Sequence, residues 1–233
     1  NERYLGERAL PEGLSATDDD ISAVTDADVI VLAVPAQTLR ENLTRWKPHL
    51  RTGVKLVSLM KGIEVDPGKR MSEVIAEVAE VDASQIAVVS GPNLAREIAD
   101  RQPTATVVAS SDITTAEVVA EISANAYFRP YTNTDVVGVE IGGAIKNIIA
   151  LSVGIADGQK LGDNSKASII TRGLAETSRL AAAMGAEAHT LSGLAGLGDL
   201  VATCASPLSR NRTFGRHLGE GMSLEDVIAH TSQ

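Results

Sequence analysis

The chain has a single cysteine, Cys204, so no intramolecular disulfide can form and no zinc site can be built on thiolates; a reducing cytosol is the expected home. No run of about 18 uninterrupted apolar residues occurs, and no basic-then-apolar leader opens the sequence, so membrane insertion is not expected. Positive charge is in deficit. With 21 Lys and Arg against 30 Asp and Glu, the net charge is -9. The acidic residues are spread along the chain, which disfavours a non-specific grip on nucleic acid or an anionic membrane. Any anionic ligand must therefore be held by a local cluster. The histidines His49, His189, His217 and His230 lack metal-ligand spacing, and no metal site is expected. Internal repeats, low-complexity tracts and long linkers are also absent. What remains is 44% apolar and 22% charged over 233 residues, ordinary for a globular protein that buries one or two cores.

The first half alternates short apolar β-type runs with helical patterns, the rhythm of a parallel sheet covered by helices. Val29–Val34 reads as a buried strand closed by Pro35, Leu39–Trp46 as a helix, and Lys55–Leu59 as the next strand. Met71–Val81 is helical, Ile86–Val89 is a strand, and strands near Thr104–Ala109 and Tyr127–Tyr131 flank a helix over Thr115–Ala124. From Asp135 the rhythm changes to helices punctuated by glycine. Val136–Ala156 is almost wholly apolar, as expected of a helix buried on all sides, and Ser165–Met184 is a second long helix closed by Gly185. The expected fold class is a Rossmann-like α/β domain over 1–134 followed by an all-α domain over 135–233.

Several segments have residues suited to chemistry. Lys61 follows a strand directly, where ligands of open α/β sheets bind. Ser90-Gly91-Pro92-Asn93-Leu94-Ala95 also follows a strand and opens a helix; Asn93 suits the N-cap and Gly91 permits close backbone approach. Free N–H groups at such a start favour an anion or an electron-rich carbonyl. Taken alone, both segments are also ordinary loops. Lys146, with Asn147, is the strongly polar pair in an otherwise apolar helix. Buried lysines usually have a partner or a task, and desolvation alone would ready this one for proton exchange near neutral pH. Gly193–Asp199 is glycine-rich but lacks the Lys-Ser/Thr ending of a phosphate loop; its glycines would let the backbone turn tightly and present Asp199. Ser209-Arg210-Asn211-Arg212, at a helix start, offers a guanidinium fork, an amide and backbone donors to a phosphate dianion. Cys204, in an apolar stretch, reads as a packing residue.

These segments occur together in the order and spacing of the NAD(P)-dependent glycerol-3-phosphate dehydrogenases of bacterial type. The chain resembles that family from Tyr4-Leu5, through Val34-Pro35-Ala36-Gln37, Leu59–Glu64, Ser90–Glu97, Val139–Asn147, Asp157-Gly158 and Gly196–Leu200, to Ser209-Arg210-Asn211. The resemblance implies hydride transfer between a nicotinamide cofactor, NAD or NADP, and the C2 carbon linking dihydroxyacetone phosphate and sn-glycerol 3-phosphate. Such an enzyme would supply glycerol phosphate for phospholipids. Lys146, Lys61 and Asp199 are the catalytic set this implies, Lys146 exchanging a proton with the C2 oxygen. Substrate positions fall on Lys61, Gly91, Asn93, Lys146, Asn147, Asp199, Thr203, Ser209, Arg210 and Asn211, and cofactor positions on Lys61, Ala95 and Arg210. The family's N-terminal Gly-x-Gly-x-x-Gly fingerprint is not found, so the first strand-turn-helix is expected to be missing, as are the C-terminal helices. A cytoplasmic homodimer is the expected state. Another lysine-dependent hydroxyacid dehydrogenase, or a catalytically silent fragment, is the alternative.

Overall fold

A computed structural model describes residues 5–8 and 11–231; Asn1, Tyr4 and Gln233 lie outside the described residues. The chain divides into two compact units, Asn1–Val136 and Val137–Gln233.

The first unit runs α1 (Asp20–Val24), β1 (Val29–Leu32), α2 (Leu39–Trp46), β2 (Lys55–Ser58), α3 (Met71–Ala79), β3 (Ile86–Ser90), α4 (Ala95–Ala99), β4 (Thr104–Ala109), α5 (Ile113–Ser123) and β5 (Phe128–Asn133). The five strands form one sheet in sequential order. β1, β2 and β3 are parallel, as are β4 and β5, but β4 runs against β3. The sequence rhythm suggested parallel pairing throughout. The reversal has a simple cause: the link from Ser90 to Thr104 contains only the five-residue α4. A helix that short spans about 8 Å, well under the helices that return the chain between the parallel strands of this sheet.

Side chains alternate across the central strands, and the two faces have separate cores. Leu56 and Ile86 join Leu39, Leu43, Met71, Val74 and Ile75 from α2 and α3 on one face. Val57, Ala87 and Val89 join Ala116 and Val119 from α5 on the other. β1 departs from the buried strand expected over Val29–Val34. It is an edge strand with Ile30 and Leu32 in the core and Val31 55% exposed, because among the described residues no helix covers its second face. α3 stops at Ala79 rather than reaching Val81, since Glu80 takes the left-handed conformation that ends helices.

The second unit consists of α6 (Val136–Gly158), α7 (Asp163–Ala183), α8 (Asp199–Ala205), α9 (Arg210–Gly219) and α10 (Leu224–Thr231), with a π-helical turn over Leu194–Gly198. No strand occurs among its described residues. Ile149, Ala150 and Val153 of α6 pack with Leu200 and Cys204 of α8, and Ile169, Ile170 and Leu174 of α7 close the cluster. The expectation that α6 is buried on all sides is corrected: its neighbours cover part of its circumference and leave Ile148 61% exposed. By length and composition α6 is the one described helix able to cross a membrane, yet it includes the buried charged residues Glu140 and Lys146.

One contact fixes where α9 begins. Gly154 and Gly158 on α6 meet Gly215 and Gly219 on α9, each pair four residues apart and so on one stripe of its helix. A methyl group at Gly154 would stand 2.9 Å from the Arg212 carbonyl carbon, and one at Gly215 the same distance from that of Leu151. The two backbones touch directly, which no residue with a Cβ would permit.

Candidate active site

In the helical unit, Lys146 is 8% exposed and lies inside α6. Its ammonium is ion-paired and hydrogen-bonded to the Asp199 carboxylate and donates to the Thr203 hydroxyl at 2.8 Å. Thr203 uses its own proton on the Asp199 main-chain carbonyl one turn earlier, at 2.6 Å, leaving its oxygen to accept from Lys146. Both partners stand on α8, one turn apart, so a single helix presents them on one face. The carboxylate stabilises the ammonium form that burial alone would disfavour. The lysine expected to stand among apolar neighbours thus has an anionic partner 53 residues away.

The glycine-rich segment before Asp199 turns tightly, as the sequence suggested. Leu194–Gly198 forms the π-helical turn, and a methyl at Gly196 would stand 2.5 Å from the Leu191 carbonyl carbon, so glycine lets the turn close onto Leu191. Asp199 then starts α8 with its side chain 2% exposed.

Ser209 caps α9, its hydroxyl accepting from the Arg212 amide at 3.3 Å. Arg210 and Asn211 lie in the exposed first turn, and neither side chain has a hydrogen-bond or ion-pair partner among the described residues. Arg212 instead reaches Asp157 of α6 at 2.8 Å, and Asp157 also accepts from Lys166 of α7 at 3.2 Å. This cross-link of three helices was not read from sequence, where nothing pairs residues 55 apart. Asn147, half-buried on α6, takes no part in the Lys146 bonds. Cys204 is buried and its thiol is pushed up to about 11, burial outweighing the nearby cations Lys146 and Arg212. It stays a neutral packing residue.

In the sheet unit, Lys61 follows β2 and donates to the Gly91 carbonyl oxygen at 3.0 Å, joining the loops after β2 and β3. Gly91 has φ +153, and a Cβ there would meet Thr106 of β4 at 3.1 Å. Asn93 is not the helix cap it was expected to be. Leu94 occupies that position, and the Asn93 amide donates instead to the Thr106 hydroxyl at 2.9 Å, because β4 offers that acceptor directly beneath the loop. Ala95 is the exposed first residue of α4. The Asn93 side-chain oxygen and the Ser90 hydroxyl are buried without a hydrogen-bond partner among the described residues.

A Rossmann-like sheet unit with polar loops at strand ends, followed by a helical unit that buries a lysine–carboxylate pair, is an architecture of nicotinamide-dependent oxidoreductases. The comparisons narrow it. Residues 1–116 match the N-terminal and residues 135–233 the C-terminal sequence model of NAD-dependent glycerol-3-phosphate dehydrogenase. The chain belongs to the NAD-dependent glycerol-3-phosphate dehydrogenase family. It is 61% identical over 233 residues to the glycerol-3-phosphate dehydrogenase [NAD(P)+] of Streptomyces griseus and 62% identical over 233 to that of Thermobifida fusca, covering 100% of this chain and 69% of each relative. Among solved structures it resembles the glycerol-3-phosphate dehydrogenase of Coxiella burnetii with TM-score 0.95 at 39% identity, covering 100% of this chain and 71% of the other. The enzyme of Dunaliella salina follows at 0.90 and 28%, covering 99% and 41%.

Proposed function

We propose that this chain interconverts dihydroxyacetone phosphate and sn-glycerol 3-phosphate with NAD or NADP. The observation that carries the proposal is the buried Lys146 ammonium held by Asp199 and Thr203. The sheet unit has residues that suit the cofactor: Lys61 supplies a cation, and the Ser90 hydroxyl is a buried polar atom with no hydrogen-bond partner among the described residues. When bound, the reduced nicotinamide supplies a hydride to C2.

Lys146 then gives a proton to the C2 oxygen, so that one hydride and one proton turn the ketone into the alcohol; in the reverse direction the neutral amine takes that proton back. Asp199 and Thr203 hold the ammonium in place between turnovers. Lys61 steadies the developing alkoxide. Arg210, Asn211 and the amides at the start of α9 behind Ser209 take the phosphate dianion. Gly91, Asn93 and Asn147 complete the substrate shell, with Lys61, Ala95 and Arg210 against the cofactor. We assign the first unit to the dinucleotide and the second to substrate and catalysis. The protein is further proposed to be a cytoplasmic homodimer that supplies glycerol phosphate for phospholipids.

The test is oxidation of NADH and NADPH by the purified protein with dihydroxyacetone phosphate, with unphosphorylated dihydroxyacetone and with a 2-oxo acid. Turnover with the phosphorylated ketone alone is expected. Equal turnover with the unphosphorylated ketone would refute the phosphate assignment, and preference for the 2-oxo acid would place the chain with the hydroxyacid dehydrogenases. Arg210→Ala should raise the KM for dihydroxyacetone phosphate at least ~10-fold, and Arg210→Lys should recover only part of it.

A further inference from the structure

The hydrogen bonds around Thr106 run in one direction, from Asn93 through Thr106 to Ser90. Thr106, fully buried in β4, lies 3.2 Å from the Ser90 main-chain carbonyl oxygen and 2.9 Å from the Asn93 amide nitrogen. A carbonyl oxygen only accepts, so the single Thr106 proton goes to Ser90. The Thr106 oxygen is then left as an acceptor, and the Asn93 group facing it must be the NH2. Exchanging the nitrogen and oxygen of that carboxamide would draw the Thr106 proton away from the Ser90 carbonyl and leave the Asn93 NH2 buried without an acceptor. The Asn93 oxygen is therefore held on the opposite side, where it is buried and has no hydrogen-bond partner among the described residues. Gly91 keeps the geometry tight, since a Cβ there would meet Thr106 Oγ1 at 3.1 Å.

We infer that Thr106 is a positioning residue which locks the Asn93 carboxamide oxygen toward the bound ligand, so that this position selects an O–H or N–H donor and discriminates against an acceptor. The inference rests on the proposed reading of Asn93 as a ligand-contacting residue and adds the polarity of that contact and the residue that sets it. Two such donors close to the reacting carbon are the C1 hydroxyl of the three-carbon substrate and the carboxamide NH2 of the nicotinamide.

The experiment measures kcat and both Michaelis constants for Thr106→Val, Thr106→Ser, Asn93→Ala and the double variant Thr106→Val with Asn93→Ala, with thermal unfolding of each. Thr106→Val removes the hydroxyl at nearly constant volume. It should raise one Michaelis constant about tenfold, the scale of one buried hydrogen bond. A rise for dihydroxyacetone phosphate identifies the C1 hydroxyl as the donor, and a rise for NADH identifies the nicotinamide amide. Thr106→Ser retains the hydroxyl and should stay within about threefold of the unaltered protein. In the Asn93→Ala background, Thr106→Val should change neither constant, because the group it orients is gone. If Thr106→Ser is as impaired as Thr106→Val, or Thr106→Val is fully additive with Asn93→Ala, Thr106 acts by packing and the inference fails. If Thr106→Val keeps both constants while Asn93→Ala loses one, only the relay is wrong. If Asn93→Ala itself behaves as the unaltered protein, the reading of Asn93 fails first. Should Thr106→Val not fold, the serine variant and Thr106→Ala decide: alanine also removes the hydroxyl, so Thr106→Ala must lose about tenfold in one constant, and full retention would overturn the inference.

Discussion

The glycine seam between α6 and α9 invites a severe test with a small perturbation, Gly215→Ala. In an isolated helix this exchange is favourable by about 1 kcal/mol. Here the added methyl would overlap the Leu151 carbonyl oxygen and stand 2.9 Å from its carbon and 3.1 Å from the Ile155 nitrogen. Carbon pairs prefer about 3.5–4.0 Å, so the helices must separate by roughly 1 Å. Side-chain rotation cannot relieve the clash, because every atom met belongs to backbone. Overpacking of this kind typically costs ~1–3 kcal/mol, and the rigidity of both partners places Gly215 at the upper end, so a net loss of about 2 kcal/mol is expected. The displaced helix is the one whose first turn presents Arg210 and Asn211, so the KM for dihydroxyacetone phosphate should rise together with the loss in urea-unfolding free energy. Gly162→Ser is the matched control: Gly162 caps α7 with open space around it, and serine there should be neutral or stabilising by a few tenths of a kcal/mol. A Gly215→Ala protein as stable as its parent, with unchanged KM, would refute the seam.

Three further outcomes follow from the same structure. Cys204, buried with its thiol pushed up to about 11, should react with a disulfide reagent at pH 8 only after denaturant is added; rapid labelling of the native protein would contradict its burial. Glu64 and Glu77 are held below the ordinary carboxylate range, Glu64 chiefly by its bond to Arg40 and Glu77 by Lys69 and then Arg40. The stability they contribute is present at neutral pH and lost as pH falls through their lowered values, so Arg40→Met should move the acid-unfolding midpoint to higher pH, and an unmoved midpoint would show that the pairs contribute nothing. Thr203→Val removes one acceptor from Lys146 while preserving volume, and should lower kcat more than it raises either Michaelis constant; a pure KM effect would place Thr203 outside the proton-transfer machinery.

Much of the fold could be read from the sequence because local pattern governs it. Leu39–Trp46 and Thr104–Ala109 form the elements their periodicity predicts, since side-chain spacing alone decides which face is buried. The antiparallel turn into β4 and the exposure of Val31 were not legible. They depend on how far α4 can carry the chain and on which strand ends at the sheet edge, neither of which leaves a periodic mark. At the site, Lys146 stood out because a charge is conspicuous in an apolar helix, but its partner could not be chosen from spacing among the many carboxylates in the chain. Asp199 was noticed for its glycine-rich approach, and only the fold sets it against Lys146. Thr106 and Arg212 gave weaker signals still: a threonine in a strand and an arginine in a basic turn are ordinary until hydrogen-bond direction or a cross-helix ion pair gives them work.

Asp199 also determines how the central claim, that Lys146 moves a proton at the C2 oxygen, should be tested. Lys146→Met would take from the buried Asp199 carboxylate the cation it pairs with, a destabilisation that confuses folding with chemistry. Lys146→Arg retains the cation opposite Asp199 but keeps its proton at any working pH. The decisive measurement is kcat of Lys146→Arg for reduction of dihydroxyacetone phosphate, beside its unfolding free energy and NADH affinity. A fall in kcat of at least ~100-fold with folding and cofactor binding retained is the predicted result. A kcat within about threefold of the parent would show that charge alone suffices and that the proton comes from elsewhere.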